Sequence, residues 1–77
     1  MKDLVEYIVK ALVEYPEQVS IHETVSASLV SLELSVADSD VGRIIGKGGR
    51  VVNSIRTLLQ VSAAKQGKRA TLELAEE

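Results

Sequence analysis

The chain of 77 residues is predicted to form one α+β domain, residues 1–77, in the order helix, strand, strand, helix, helix, strand. Three observations carry this prediction. Apolar residues recur at helical spacing between Leu4 and Tyr15 and again between Val51 and Ala63. They alternate with polar residues from Val30 to Val36. Gly46, Gly48 and Gly49, closely spaced, join two apolar helical patterns, and such punctuation marks helix boundaries rather than interiors.

In chain order, Asp3 with Glu6 three residues later reads as a helix cap. Leu4, Ile8, Ala11, Leu12 and Tyr15 then form an amphipathic stripe that Val5, Val9 and Val13 widen. Pro16 ends it, because the residue before proline is pushed out of the helical region. Tyr7 and Tyr15 flank the stripe and are expected in the core or at its rim. Val19 to Val25 forms the first strand, with Val19, Ile21 and Val25 on one face; Glu23 falls on that same face and weakens the pattern or marks a bulge. Val30, Leu32, Leu34 and Val36 alternate with Ser31, Glu33 and Ser35, as in a strand buried on one side. The short Ser26-Ala27-Ser28 link makes the two strands an antiparallel hairpin.

Ala37-Asp38-Ser39-Asp40 supplies capping side chains and first-turn acids for a short helix that runs into the glycines. Beyond them, Val51, Val52, Ile55, Leu58, Leu59 and Ser62-Ala63 fall within one arc of a helical wheel at about 100° per residue. Gly67, after Lys65-Gln66, ends that helix in the expected manner, and Ala70, Leu72 and Leu74 alternate with Thr71 and Glu73 as a closing strand. His22 shares its parity with Ser20 and Thr24, which puts it on the solvent face without partners for a metal site or a base.

Composition narrows the function classes. Val, Leu and Ile supply 25 residues, against two Tyr and no Phe or Trp, so the core is aliphatic. A chain this short buries only about 60% of its unfolded surface, and a partner or a second copy would add to its stability. The absence of cysteine excludes disulfides, thiol nucleophiles and thiolate metal sites. No apolar run exceeds three residues and Met1-Lys2-Asp3 lacks a signal-peptide pattern, so a soluble cytoplasmic protein is expected. No paired carboxylates, nucleophile with a base, or ligand cluster can be assembled around the glycines, so neither an enzyme nor a cofactor is indicated.

The net charge of −2 conceals a segregation. All eleven acids lie outside residues 41–69, a window that holds Arg43, Lys47, Arg50, Arg56, Lys65, Lys68 and Arg69; residues 1–40 carry −6. The positive charge therefore gathers around the glycines, while the acidic remainder confines any anionic ligand to a small footprint.

Three glycine-loop chemistries compete for this stretch. A Walker-type phosphate loop requires G-x-x-x-x-G-K-[ST], but Gly42 stands one residue too close to Gly46, and Gly48 occupies the place of the hydroxyl that would bind magnesium. A dinucleotide fingerprint starting at Gly46 needs a third glycine where Val51 stands. What remains is I-I-G-x-x-G-x-x-V between two helices, with Lys47 and Arg50 beside the N-terminus of the second. This resembles the nucleic-acid clamp of the KH domain, whose G-x-x-G loop holds about four backbone nucleotides.

The element order extends the resemblance to the bacterial, type II KH arrangement over essentially the whole chain, and the size is similar to that of the small bacterial RNA-binding proteins of the KhpA family. The resemblance implies a three-stranded mixed sheet with three helices on one face. It also implies single-stranded RNA as partner, a regulatory or chaperone role in RNA metabolism, a homodimer and pairing with a second KH-containing protein. Carried onto these residues, the RNA site comprises Gly46, Lys47, Gly48, Gly49 and Arg50, with Arg43, Ile44 and Ile45 beside them; which isoleucine faces the groove the sequence leaves open. Bases would rest on aliphatic groups, Val36 included, because aromatic side chains are nearly absent. The sheet's other face, with Ser20, His22, Thr24, Ser31, Glu33, Ser35, Thr71 and Glu73, carries no aromatic residue and so excludes the sheet-stacking mode of an RRM.

Val61 and Ala64 fall away from the core arc of the last helix, on a side shared with Ser54, Thr57 and Asn53, which marks that face as the expected homodimer contact. Two alternatives come from other classes: an adaptor that uses the KH scaffold to pair with protein, and a helix-turn-helix reader of duplex DNA exposing Asn53, Ser54, Thr57 and Gln60.

Overall fold

A computed structural model describes residues 1–75. Its order is α1 (Lys2–Leu12), β1 (Ser20–Val25), β2 (Leu29–Ser35), α2 (Val41–Ile45), α3 (Arg50–Ala64) and β3 (Arg69–Leu74), with short 3-10 turns at Pro16–Gln18, Asp38–Asp40 and Lys47–Gly49. The sheet order is β1-β2-β3. β1 pairs antiparallel with β2, and β3 pairs parallel with β2 from Leu29↔Arg69 to Leu34↔Leu74. This is the mixed three-stranded sheet that the resemblance implies.

β2 is the central strand, and its period-two pattern explains why: Val30, Leu32 and Leu34 are buried, while Glu33 and Ser35 face solvent. Ala70 and Leu72 on β3 continue the same buried layer. Val5 and Val9 of α1, Ile44 of α2, and Val52, Ile55, Leu59 and Ala63 of α3 close over it. The core is aliphatic throughout. Each Val, Leu or Ile side chain removed fully from water contributes roughly 1.5–3 kcal/mol.

Several expectations need correction. α1 starts from Met1 with no side-chain cap, so Asp3 is a first-turn acid rather than a capping residue, and Glu6 pairs with Lys10 at 3.3 Å. The buried line of α1 is Val5 and Val9, flanked by half-buried Met1, Ile8 and Val13; Leu4, Ala11 and Leu12 stay exposed, so the stripe is rotated from its expected centre. Tyr7 is 77% exposed and belongs neither to core nor rim. Glu23 marks no bulge, because the β1–β2 register runs unbroken from Ser20↔Ser35 to Val25↔Val30. It is exposed, as is every residue of this edge strand except Ile21.

On α3, successive residues turn by about 100°, which places Leu58 at the margin of the arc centred on Leu59; Leu58 is 54% exposed and leaves the core set. The helix ends as expected: the Lys68 amide donates to the Ala63 carbonyl at 3.0 Å across Gly67, whose φ is 70°.

Candidate nucleic-acid interface

The glycine stretch folds as a helix, a tight turn and a second helix. α2 has five residues, too few to persist alone, and it is held in place by Ile44, which has no exposed surface. Gly46 leaves the helix at φ 73°, and a Cβ there would overlap the side chain of Val51, so glycine is a requirement of the chain's own packing. Gly48 has φ 66° with open space where a Cβ would point. The turn carries the chain into the 15-residue α3, whose N-terminus has no side-chain cap.

Two backbone donors at this turn are engaged within it. The Gly49 amide donates to the Gly46 carbonyl at 3.2 Å, and the Arg50 amide to that of Lys47. Lys47 and Gly48 are exposed and Gly49 half-buried. Exposed glycine-rich backbone, the positive end of α3 and two cations thus occur together, an arrangement that stabilises a phosphate.

The charges prove unequal once their partners are known. Lys47 and Arg50 are exposed and make no ion pair among the described residues. Arg43 does: its Nη2 lies 3.2 Å from Glu14 Oε2 and its Nε 3.3 Å from Asp40 Oδ1. Arg56 donates from Nε to the Leu72 carbonyl at 3.1 Å and from Nη1 to Asn53 Oδ1 at 3.2 Å, fastening α3 to the edge strand. Lys65, Lys68 and Arg69 sit at the other end of α3, on the order of 20 Å away at 1.5 Å per residue. Lys68 and Arg69 line a concavity of about 580 Å³ with Ser28, Leu29, Gln60 and Ala64.

Ile44, expected beside the ligand, is wholly buried and is a core residue; Ile45, half-buried, is the isoleucine with surface to offer, and Val36 and Val51 are half-buried as well. Two residues escape a reading of the sequence. Gly42 has ordinary helical φ, and nothing lies within 4 Å of the point where a Cβ would stand, so no internal contact explains a glycine inside a helix, where it costs about 0.5–1 kcal/mol relative to alanine. Asp40, expected as a cap for α2, makes no such bond. Its carboxylate instead accepts the amides of Glu14 and Tyr15, both at 3.0 Å. In a continuing helix those amides would donate four residues back, to Lys10 and Ala11, so Asp40 explains why α1 stops at Leu12, before Pro16. No sequence signal distinguishes Asp40 from Asp38 in this role.

The outer face of α3 carries Ser54, Thr57, Val61 and Ala64, all exposed. The Ser54 hydroxyl donates to the Arg50 carbonyl at 2.8 Å and that of Thr57 to the Asn53 carbonyl at 3.0 Å. With those hydroxyls turned back onto the helix and Asn53 Oδ1 held by Arg56, α3 has little left to present to base edges in a duplex groove. This argues against a helix-turn-helix reader. Among the described residues no group of His, Asp and Glu is disposed to hold a metal ion, and no helix is long and apolar enough to cross a membrane.

The α-β-β-α-α-β order, the mixed sheet and a G-x-x-G turn between two helices define a type II KH domain. Within that class the assignment is narrower. The chain belongs to the KhpA/KhpB KH-domain family, whose model matches residues 2–74. It is 47% identical over 77 residues to the RNA-binding protein KhpA of Chlamydia pneumoniae, covering 100% of this chain and 99% of that one. It is 42% identical over 74 residues to the RNA-binding protein KhpA of Clostridium perfringens, covering 96% and 99%, and the relative of the same description in Oceanobacillus iheyensis is 43% identical over 74 residues, again covering 96% and 99%. No solved structure matches the chain significantly.

Proposed function

We propose that this protein binds single-stranded RNA at the Gly46–Arg50 turn, gripping about four nucleotides, and acts in the cytoplasm as a regulator or chaperone in bacterial RNA metabolism. The observation that carries the reading is the coincidence of exposed backbone at Lys47 and Gly48, an uncapped start to α3, and the exposed Lys47 and Arg50, which make no ion pair among the described residues. The names of the relatives support it. Phosphates lie on the amides and cations, and bases rest on Ile45 and its half-buried aliphatic neighbours. Arg43 is the weaker contact, since Glu14 and Asp40 already engage it. Binding of a labelled single-stranded RNA against duplex DNA of equal length is the test. Preference for the duplex would overturn the proposal.

A second reading concerns association. Leu58 and Val61 are each 54% exposed, and with Ala64, Ser54 and Thr57 they give α3 a short-chained outer face free of charge over its middle. We assign it to a homodimer contact, and a second KH-containing protein is the other occupant it suits. Val61→Glu puts an unpaired carboxylate at the contact, where its desolvation is unfavourable. Sedimentation should show a dimer of the unmodified protein and a folded monomer of the variant; an unmodified monomer at tens of micromolar, or a dimeric variant, removes this face from consideration.

A further inference from the structure

Asp40 is the buried charged side chain of the described residues, with no exposed surface at all. Its contacts are the Glu14 amide and Arg43 Nε on Oδ1 and the Tyr15 amide on Oδ2. A carboxylate withdrawn from water is unfavourable unless fully bonded, and buried ion pairs are weak sources of stability in themselves. Capping α2 does not account for it, because Asp40 makes no capping bond there.

We infer that Asp40 is a positioning residue for the glycine loop, an inference that rests on reading that loop as the RNA site. α2 spans only Val41–Ile45 between Asp40 and Gly46. Ile44 fixes it to the core at one point, and a rod fixed at one point can still tilt. Asp40 supplies the second point by gripping the backbone just past α1, so two anchors set the direction in which α2 delivers the loop. Gly46 lies six residues beyond Asp40, a lever of about 9 Å at 1.5 Å per residue. A modest tilt of α2 therefore moves the Lys47 and Gly48 amides by more than a hydrogen bond tolerates. The arrangement also couples the C-terminal end of α1 to RNA affinity.

Asp40→Asn keeps the shape, loses the charge and leaves one amide without an acceptor. Val9→Ala is the control, since it opens the core beneath α1 and lowers global stability without touching the clamp. In Asp40→Asn the Gly46 and Gly49 amides, both hydrogen-bonded in the native turn, should exchange with solvent faster than in Val9→Ala. If the competent loop falls to a tenth of the population, affinity for a labelled single-stranded oligouridylate drops about tenfold, whereas Val9→Ala stays within about twofold. Should Asp40→Asn fail to fold, Asp40→Glu, which keeps the charge but displaces it by one methylene, takes its place in both measurements. Loop exchange equal to that of Val9→Ala, or faster exchange with affinity intact, overturns the inference. If the unmodified protein binds no single-stranded RNA, the reading of the loop fails instead, and exchange at Gly46 and Gly49 alone decides whether Asp40 positions it.

Discussion

The glycine turn and the open face of the sheet are both polar, exposed and free of aromatic side chains, yet they present opposite surfaces to an anion. Across the sheet, His22, Glu33 and Glu73 form one row and Thr24, Ser31 and Thr71 the next, with the Thr71 hydroxyl donating to that of Ser31 at 3.3 Å. Amides of the central strand are engaged in ladders, and the fixed charge on the face is negative. At the turn the backbone of Lys47 and Gly48 is exposed, and Lys47 and Arg50 make no ion pair among the described residues. The net charge of the chain predicts neither surface. What decides is where the fold exposes glycine-rich backbone and which cations it leaves without partners among the described residues.

The largest effect should come from reversing that arrangement at the turn. Lys47→Asp with Gly48→Asp places two carboxylates where phosphates lie, and loss of two charge-assisted contacts at about 1.5–3 kcal/mol each lowers affinity for single-stranded RNA by about a hundredfold or more. The fold should persist. Position 48 has open space for a Cβ, and aspartate at its left-handed φ costs about 1–2 kcal/mol, so the melt shifts by roughly 4–16 °C. Loss of the folded signal, or unimpaired binding, would count against the assigned role.

Gly42→Ala separates ligand contact from packing by the sign of its two effects. Alanine stabilises the free helix by about 0.5–1 kcal/mol, raising the melting temperature by several degrees. The added methyl projects into space that is empty in the free protein. RNA affinity should fall by a factor of several as that methyl meets the approaching backbone. A more stable protein with unchanged affinity would mean that α2 forms no part of the binding surface.

The fold was legible because β2, β3 and α3 each repeat their period without conflict; Val30, Leu32 and Leu34 had only one face on which to lie. The errors fall where long-range partners decide. Leu4 and Val5 are equally apolar, and which of them meets the core depends on how α1 docks. The turn was legible through Gly46, Gly48 and Gly49, whose spacing carries the family resemblance. The standing of its neighbours was not: Arg43 and Lys47 look alike in sequence, but Glu14, 29 residues away, takes the first. Asp40 was hidden for the same reason, since its donors at Glu14 and Tyr15 lie 26 and 25 residues earlier.

A smaller effect measures how far the anionic surface extends along α3. For single strands the salt slope is about −0.7 per phosphate neutralised, so two or three contacts at the turn give roughly −1.5 to −2. Lys68→Gln with Arg69→Gln should leave that slope unchanged for a short oligonucleotide. A slope much steeper than this in the unmodified protein, reduced by the pair of substitutions, would bring the concavity at the far end of α3 into the RNA surface.

The smallest effect is expected on the sheet, and its smallness is informative. Glu33 and Glu73 are register partners on neighbouring strands, so neutralising one relieves a like-charge contact and should stabilise the domain by a few tenths of a kcal/mol. Their field at the turn is another matter. They project from the side of the sheet opposite the helices, and exposed charges separated by more than a Debye length, about 8 Å at physiological salt, are largely screened from one another. Glu33→Gln with Glu73→Gln should therefore change RNA affinity by less than about twofold under those conditions, with a modest gain on dilution of the salt as screening weakens. If affinity instead rises strongly at physiological salt, RNA is reaching the sheet, and the division of the molecule into one anion-binding surface and one that repels anions fails at its acidic half.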